Sequence, residues 1–135
     1  MAAALVATVF AGSPAQAATN PYTPKGLCGS GYSVVDSVTH NSLSTNRVLA
    51  TTYLLSKSGG LRCVVTLKSS ATAGGTNWIK ASVENDTTGD KHTNSGKFKY
   101  YAGPVKVKVS GSACAAWRGG YKNGAYTLDA GGLKC

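Results

Sequence analysis

The stretch Leu61 to Lys68, Leu-Arg-Cys-Val-Val-Thr-Leu-Lys, restricts the fold of this chain more than any other. Leu61, Cys63, Val65 and Leu67 fall on one side, and Arg62, Val64, Thr66 and Lys68 on the other. Period-two alternation of this kind belongs to a strand and conflicts with a helix. Residues 48–55 before it are rich in β-branched and aromatic side chains, and Ser56-Lys57-Ser58-Gly59-Gly60 separates the two runs. The pair reads as a hairpin with a five-residue, glycine-containing loop. Short apolar or alternating runs recur at 32–38, 78–83, 96–101, 104–110, 114–118 and 125–128, each bounded by turn residues. No apolar stripe at helical spacing persists, and capped periodic runs are missing. The pattern predicts an all-β, single-domain β-sandwich of about seven or eight short strands, with a small β-barrel as the alternative. Residues 69–76 read as a flexible loop and the polar stretch 84–96 as a long mobile one.

Four cysteines, Cys28, Cys63, Cys114 and Cys135, suit two disulfides in an oxidising compartment. Three pairings are open. Cys28–Cys63 with Cys114–Cys135 is favoured, because each bond then joins nearby segments and the second pins the C-terminus. A metal site is not expected: no Cys-x-x-Cys occurs, and His40 and His92 lie at no ligand spacing. No cofactor signature is present either, since Gly29-Ser30-Gly31 lacks the rest of a phosphate-binding fingerprint.

Export is read from the other end of the chain. Residues 2–11 are apolar and too short to span a bilayer, and Ala15-Gln16-Ala17 is a small-x-small cleavage site. Residues 1–17 are therefore expected to be a signal peptide, although no Lys or Arg precedes Lys25. Residues 18–27 then form a Pro-punctuated N-terminal arm and 28–135 the sandwich. No other run is apolar enough for a transmembrane segment.

Fourteen Lys and Arg face five Asp and Glu, for a formal net charge of +9. Such an imbalance favours anionic partners. The lysines concentrate in Lys-Phe-Lys-Tyr-Tyr-Ala-Gly-Pro-Val-Lys-Val-Lys-Val, residues 97–109. Alternation sends Phe98, Tyr100, Val105, Val107 and Val109 inward and Lys97, Lys99, Lys106 and Lys108 outward. With the Tyr101-Ala102-Gly103-Pro104 corner joining neighbouring strands, the four ammonium groups share one outer face. That face is the expected anion-binding surface; protection of a sheet edge against aggregation is the competing reason for it.

Catalytic signatures are thin. No Gly-x-Ser-x-Gly elbow occurs, and the cysteines are committed to bridges. Glu84, Asp86 and Asp90 would be carboxylates for sugar hydrolysis only if a cleft gathered them, and their setting reads as solvated loop. Asp36 and His40 could pair as acid and base, but the pattern is unspecific. The chain is expected not to be an enzyme. Seven tyrosines and two tryptophans offer stacking platforms. Tyr101 and Tyr121 are the possible aromatic contacts at the surface, while Trp78 and Trp117 suit the core. Basic and aromatic residues together fit nucleic acid in composition, but no nucleic-acid motif is present. Asn85-Asp86-Thr87 matches a glycosylation sequon.

The words Asn20-Pro21-Tyr22-Thr23-Pro24, Cys28-Gly29-Ser30-Gly31-Tyr32-Ser33-Val34, Cys63-Val64-Val65-Thr66-Leu67-Lys68 and Tyr100-Tyr101-Ala102-Gly103-Pro104-Val105 carry a family likeness. The chain resembles spore-associated protein A, a family of small exported proteins of filamentous, spore-forming actinobacteria. Cys114, Trp117, Gly119-Gly120 and Cys135 follow the family pattern in outline. The resemblance implies a secreted protein at the spore or cell surface, with no catalytic residues to carry over. The expected function is adhesion to anionic cell-wall or spore-surface polymers through the lysine face. A small secreted effector, antimicrobial or protease-inhibitor-like, is the alternative, and a carbohydrate-binding or carbohydrate-active protein a weaker one.

Overall fold

The computed structural model describes residues 19–135, so the expected signal peptide lies outside the described residues. The chain runs α1 (Pro24–Cys28), β1 (Ser33–Asn41), β2 (Val48–Lys57), β3 (Leu61–Lys68), β4 (Asn77–Asn85), β5 (Lys91–Phe98), β6 (Tyr101–Lys108), β7 (Ala115–Asn123) and β8 (Tyr126–Lys134). The strands form two four-stranded antiparallel sheets, ordered β1-β2-β3-β6 and β5-β4-β7-β8. They face each other as a sandwich and do not close into a barrel.

The expected hairpin is β2–β3. Its strands pair from Ala50 opposite Lys68 to Lys57 opposite Leu61, leaving Ser58-Gly59-Gly60 as the connection. Gly59 and Gly60 both take positive φ there, and a Cβ on Gly60 would run into the Val109 carbonyl. This is a turn that demands glycine.

One side of β3, with Val64 and Thr66, packs into the space between the sheets. Leu54, Ile79, Ala81, Val83, Val105, Val107, Val109 and Trp117 fill that core. The other side, with Cys63, Val65 and Leu67, faces away from the second sheet yet is also buried. The N-terminal arm causes this. Thr23 caps α1 by accepting the Gly26 N–H at 3.0 Å, with Pro24 at the first helical position. Leu27, Cys28 and Tyr32 then cover the outer side of β3. The helix escapes a pattern search because a single turn shows no periodicity. Both expected disulfides are formed, Cys28–Cys63 tying α1 to β3 and Cys114–Cys135 tying the end of β8 to the start of β7.

Two readings of the sequence change. Residues 84–96 are not a long mobile loop: β4 continues to Asn85, β5 begins at Lys91, and only 86–90 turn. β5 is an edge strand whose side chains are largely exposed, so its sequence is polar for the same reason that a loop's is. Nor does the chain reverse at Tyr101-Ala102-Gly103-Pro104. It turns at Lys99-Tyr100, and Gly103-Pro104 is a bulge inside β6, where the register with β3 slips between Val64 and Thr66. Gly103 has φ 91°, and Asn94 Oδ1 accepts its N–H at 2.8 Å. Gly and Pro mark bulges as well as turns, and the sequence does not separate the two.

A polar chain crosses the core. The Thr66 hydroxyl donates to the Lys80 carbonyl at 2.7 Å, across the gap between the sheets. Its one proton being spent, it accepts from Thr52, also at 2.7 Å. Thr52 in turn accepts from His40 Nε2 at 2.7 Å. His40 is 2% exposed, and desolvation holds its pKa below the ordinary imidazole value, with Asp129 opposing weakly. The unfolded chain therefore binds the His40 proton more readily than the folded one. The stability that His40 contributes is present above pH about 6.5 and declines as the pH falls through the window below it, by up to about 1.4 kcal/mol per unit. Denaturant midpoints measured between pH 7 and 5 should fall in the native protein more steeply than in His40→Gln.

Candidate functional site

The structure does not gather the four expected lysines on one surface. β5 and β6 belong to different sheets, so Lys97 and Lys106 do not share a face. Lys97 pairs with Trp78, whose neighbour Ile79 points into the core, and so stands on the solvent side of the second sheet. Lys99 lies exposed in the β5–β6 turn. Lys106 and Lys108 stand on the outer side of the first sheet, opposite Cys63 and Leu61. All four are exposed, while the intervening Val105 and Val107 are buried. Alternation therefore holds along each strand; what fails is the assumption that consecutive strands are sheet neighbours.

On the outer side of the first sheet a different set assembles. Lys57 lies opposite Leu61, which lies opposite Lys108, so the two lysines flank one leucine across three strands. Tyr32 lies under two of the lysines of this surface, with Lys106 Nζ at 5.1 Å and Lys57 Nζ at 5.5 Å from its ring centroid. The Cys28–Cys63 bond anchors the segment carrying Tyr32 beside Lys106, since Cys63 is the strand partner of Lys106. Attraction to the ring, worth roughly 0.5–1 kcal/mol per cation at exposed sites, offsets the repulsion of gathering ammonium groups. Among the described residues the ion pairs are Lys80–Asp129 and Arg118–Asp129, while His92 Nε2 lies 3.2 Å from Asp90 Oδ1. Lys57, Lys106 and Lys108 take no part in them, so their charge is free for a partner. Lys57 and Tyr32 were not singled out in the sequence. Continuing the β2 alternation from Leu55 past the expected strand end would have placed Lys57 on this face.

At one end of the sandwich, where β5 passes into β6, Asn94, Phe98, Lys99, Tyr100, Tyr101 and Gly103 line a cleft of about 340 Å³. Tyr22 from the N-terminal arm leans on this corner, its ring centroid 4.8 Å from that of Tyr101 and 5.7 Å from that of Tyr100. The corner backbone is held throughout. Lys68 Nζ donates to the Phe98 carbonyl at 3.2 Å, Gly74 N–H to that of Lys99 at 3.0 Å, and Lys68 N–H to that of Tyr100 at 2.9 Å. Asn20 Nδ2 adds a second bond to the Tyr100 carbonyl, at 2.8 Å. Lys68, at the end of β3, is 2% exposed and also donates to Asn77 Oδ1 and the Gly75 carbonyl. Desolvation holds its pKa below the ordinary lysine value.

Tyr121, expected at the surface, is buried at 3% exposure and faces the core from β7. Burial raises its pKa, against a weaker opposing hydrogen bond with Thr72. Its face is set by the register with Ile79, a pairing invisible before the sheet order is known. Trp117 is buried as expected, whereas Trp78 is half-buried. Asp86 and the neighbouring Asn85 brace the turn after β4. Asp86 Oδ1 accepts the Cys114 N–H at 2.7 Å, and Asn85 Oδ1 accepts the N–H groups of Thr87 and Thr88. Asn85 is buried and its amide donates to the Lys108 carbonyl, so the sequon offers no glycan attachment point. His40 spends its Nε2 on Thr52, while Asp36 is exposed and accepts its neighbour's N–H. No grouping of three metal-ligating side chains occurs among the described residues, and no described helix is long and apolar enough to cross a membrane.

No family model and no solved structure matches the chain. It is similar to spore-associated protein A of Streptomyces coelicolor, with 37% identity over 116 residues that cover 85% of this chain and 68% of that one. The likeness spans most of the sandwich described above, and on its extent the chain belongs to the spore-associated protein A family.

Proposed function

We propose that this is a secreted, non-enzymatic protein of the spore or cell surface that adheres to anionic envelope polymers. The name of its Streptomyces coelicolor relative supports the location. The observation that carries the adhesion is the set of Lys57 and Lys106 over Tyr32 with Lys108 further along the same side of β6, three cations outside the ion pairs on one disulfide-anchored surface. This cluster replaces the single lysine plane read from the sequence. Lys97 and Lys99 supply further positive charge on other surfaces, which suits a protein lodged within a polymer mesh rather than laid flat upon it.

Cations at an exposed surface act through a screened field with a range of about 8 Å at physiological ionic strength and about 3 Å at 1 M salt. Protein bound to washed spores or walls should therefore be released as salt rises from 0.1 to 1 M. The double variant Lys106→Glu/Lys108→Glu should bind at least about tenfold more weakly, some 1.4 kcal/mol. Retention that ignores both salt and the substitutions would refute the reading. Inhibition of bacterial growth, or of a protease at one-to-one stoichiometry, would favour the secreted-effector alternative instead.

A further inference from the structure

We propose that the β5–β6 cleft is a second, stereospecific site that takes one pyranose ring carrying a carboxylate, such as a unit of an acidic polysaccharide. The proposal rests on the envelope-polymer reading and names a chemistry for part of it. About 340 Å³ is the size of a small-ligand pocket. Phe98, Tyr100 and Tyr101 among its lining residues give apolar surface to the C–H face of a sugar, with phenolic groups for its hydroxyls. Asn94 has committed Oδ1 to Gly103, so the end it offers the cleft is its donor, Nδ2. Lys99 brings the one charge to the lining, and no carboxylate opposes it. Aromatic surface with donors and a cation, but no acidic acceptor, complements an acidic sugar better than a neutral one.

Two features show a site that is formed in advance. Hydrogen bonds hold the carbonyls of Phe98, Lys99 and Tyr100 in place, so binding need not order the corner. Gly103 presents no side chain to the cleft, and a Cβ there would lie 2.8 Å from the Val64 carbonyl oxygen. The Lys57–Lys106–Lys108 cluster holds polyanions through charge alone; the cleft would select the repeating unit.

The test is a titration of the isotope-labelled full chain with a glucuronic acid tetramer, a glucose tetramer, inorganic polyphosphate and oligothymidylate, followed by amide shifts. The acidic tetramer should move the amides of Asn94, Tyr101 and Gly103. Its affinity should exceed that of the glucose tetramer by about tenfold and fall by a similar factor in Tyr100→Ala. Lys99→Glu, a change at an exposed side chain, should erase the preference for the acidic sugar while leaving the melting temperature in place, and it decides the matter if Tyr100→Ala fails to fold. Polyphosphate should move the amides of Lys57, Lys106 and Lys108. If the acidic tetramer also moves only those, the cleft proposal fails and the adhesion reading stands; if polyphosphate moves none of them, the adhesion reading fails. Tighter binding of oligothymidylate in the cleft would overturn the sugar assignment in favour of a base-stacking site.

Discussion

Replacing Lys68 with alanine should destabilise the protein by about 4 kcal/mol, a large part of the 5–15 kcal/mol that holds a domain of this size together. The side chain lies inside the end of the sandwich, where its ammonium donates to the carbonyls of Gly75 and Phe98 and to Asn77 Oδ1. Hydrogen bonds to a charged group contribute about 1.5–3 kcal/mol each, and acceptors left buried without a donor add a desolvation cost. Lys68→Met separates the ammonium from its stem: the methylenes still pack, so what that variant loses is the polar part. Urea midpoints for the two variants give the division directly. The pH dependence is a second signature. Burial lowers the Lys68 pKa, so the unfolded chain binds its proton more tightly. Stability from this group therefore rises with pH from the lowered value toward about 10.5 and is flat below that window. Lys68→Met should remove the slope. Because the same ammonium secures the Phe98 carbonyl, both variants should also loosen the cleft, visible as faster amide exchange at residues 99–101.

Gly119→Ala should cost about 3 kcal/mol or more, lowering the melting temperature by on the order of 10 °C. A Cβ at Gly119 would fall 1.7 Å from Thr52 Oγ1 and 2.6 Å from Thr66 Oγ1. Both hydroxyls belong to the chain from His40 to the Lys80 carbonyl, so neither can retreat without breaking a buried hydrogen bond. The glycine matters here through space rather than backbone conformation, as it is not among the residues with positive φ. Thr52→Ala in the Gly119→Ala background should recover part of the loss, because it removes the clashing hydroxyl. A melting curve for Gly119→Ala that overlays the native one would mean that the sheets sit further apart than described.

The likeness to a curated relative and the residues of the sequence agree on the family, but they speak to different parts of the function. The relative's name bears on location. The proposed chemistry of attachment rests on Lys57, Lys106, Lys108 and Tyr32, and on the cleft at the end of the sandwich. Of these, Lys106 and Lys108 were legible as outward-facing, and Tyr101 as a possible contact. Lys57, Tyr32, Phe98 and Asn94 enter only because distant strands and the arm meet there.

Local chemistry settled a good deal alone. The alternation at Leu61–Lys68 and over residues 104–108 made strands, and in the second it buried Val105 and Val107, since successive side chains of an extended chain must point to opposite sides. Of the three pairings open to the cysteines, the one favoured for joining nearby segments is the one that forms. Sheet membership was beyond it. Nothing within residues 91–108 says that β5 joins β4 while β6 crosses to β3, and that crossing alone separates Lys97 from Lys106. Nor does the alternation of β3 reveal that the arm covers its second side, or that Lys68 ends up inside. Strand formation depends on neighbours along the chain, whereas the partner of each face depends on how all the faces are buried together, and only the assembled sandwich fixes that.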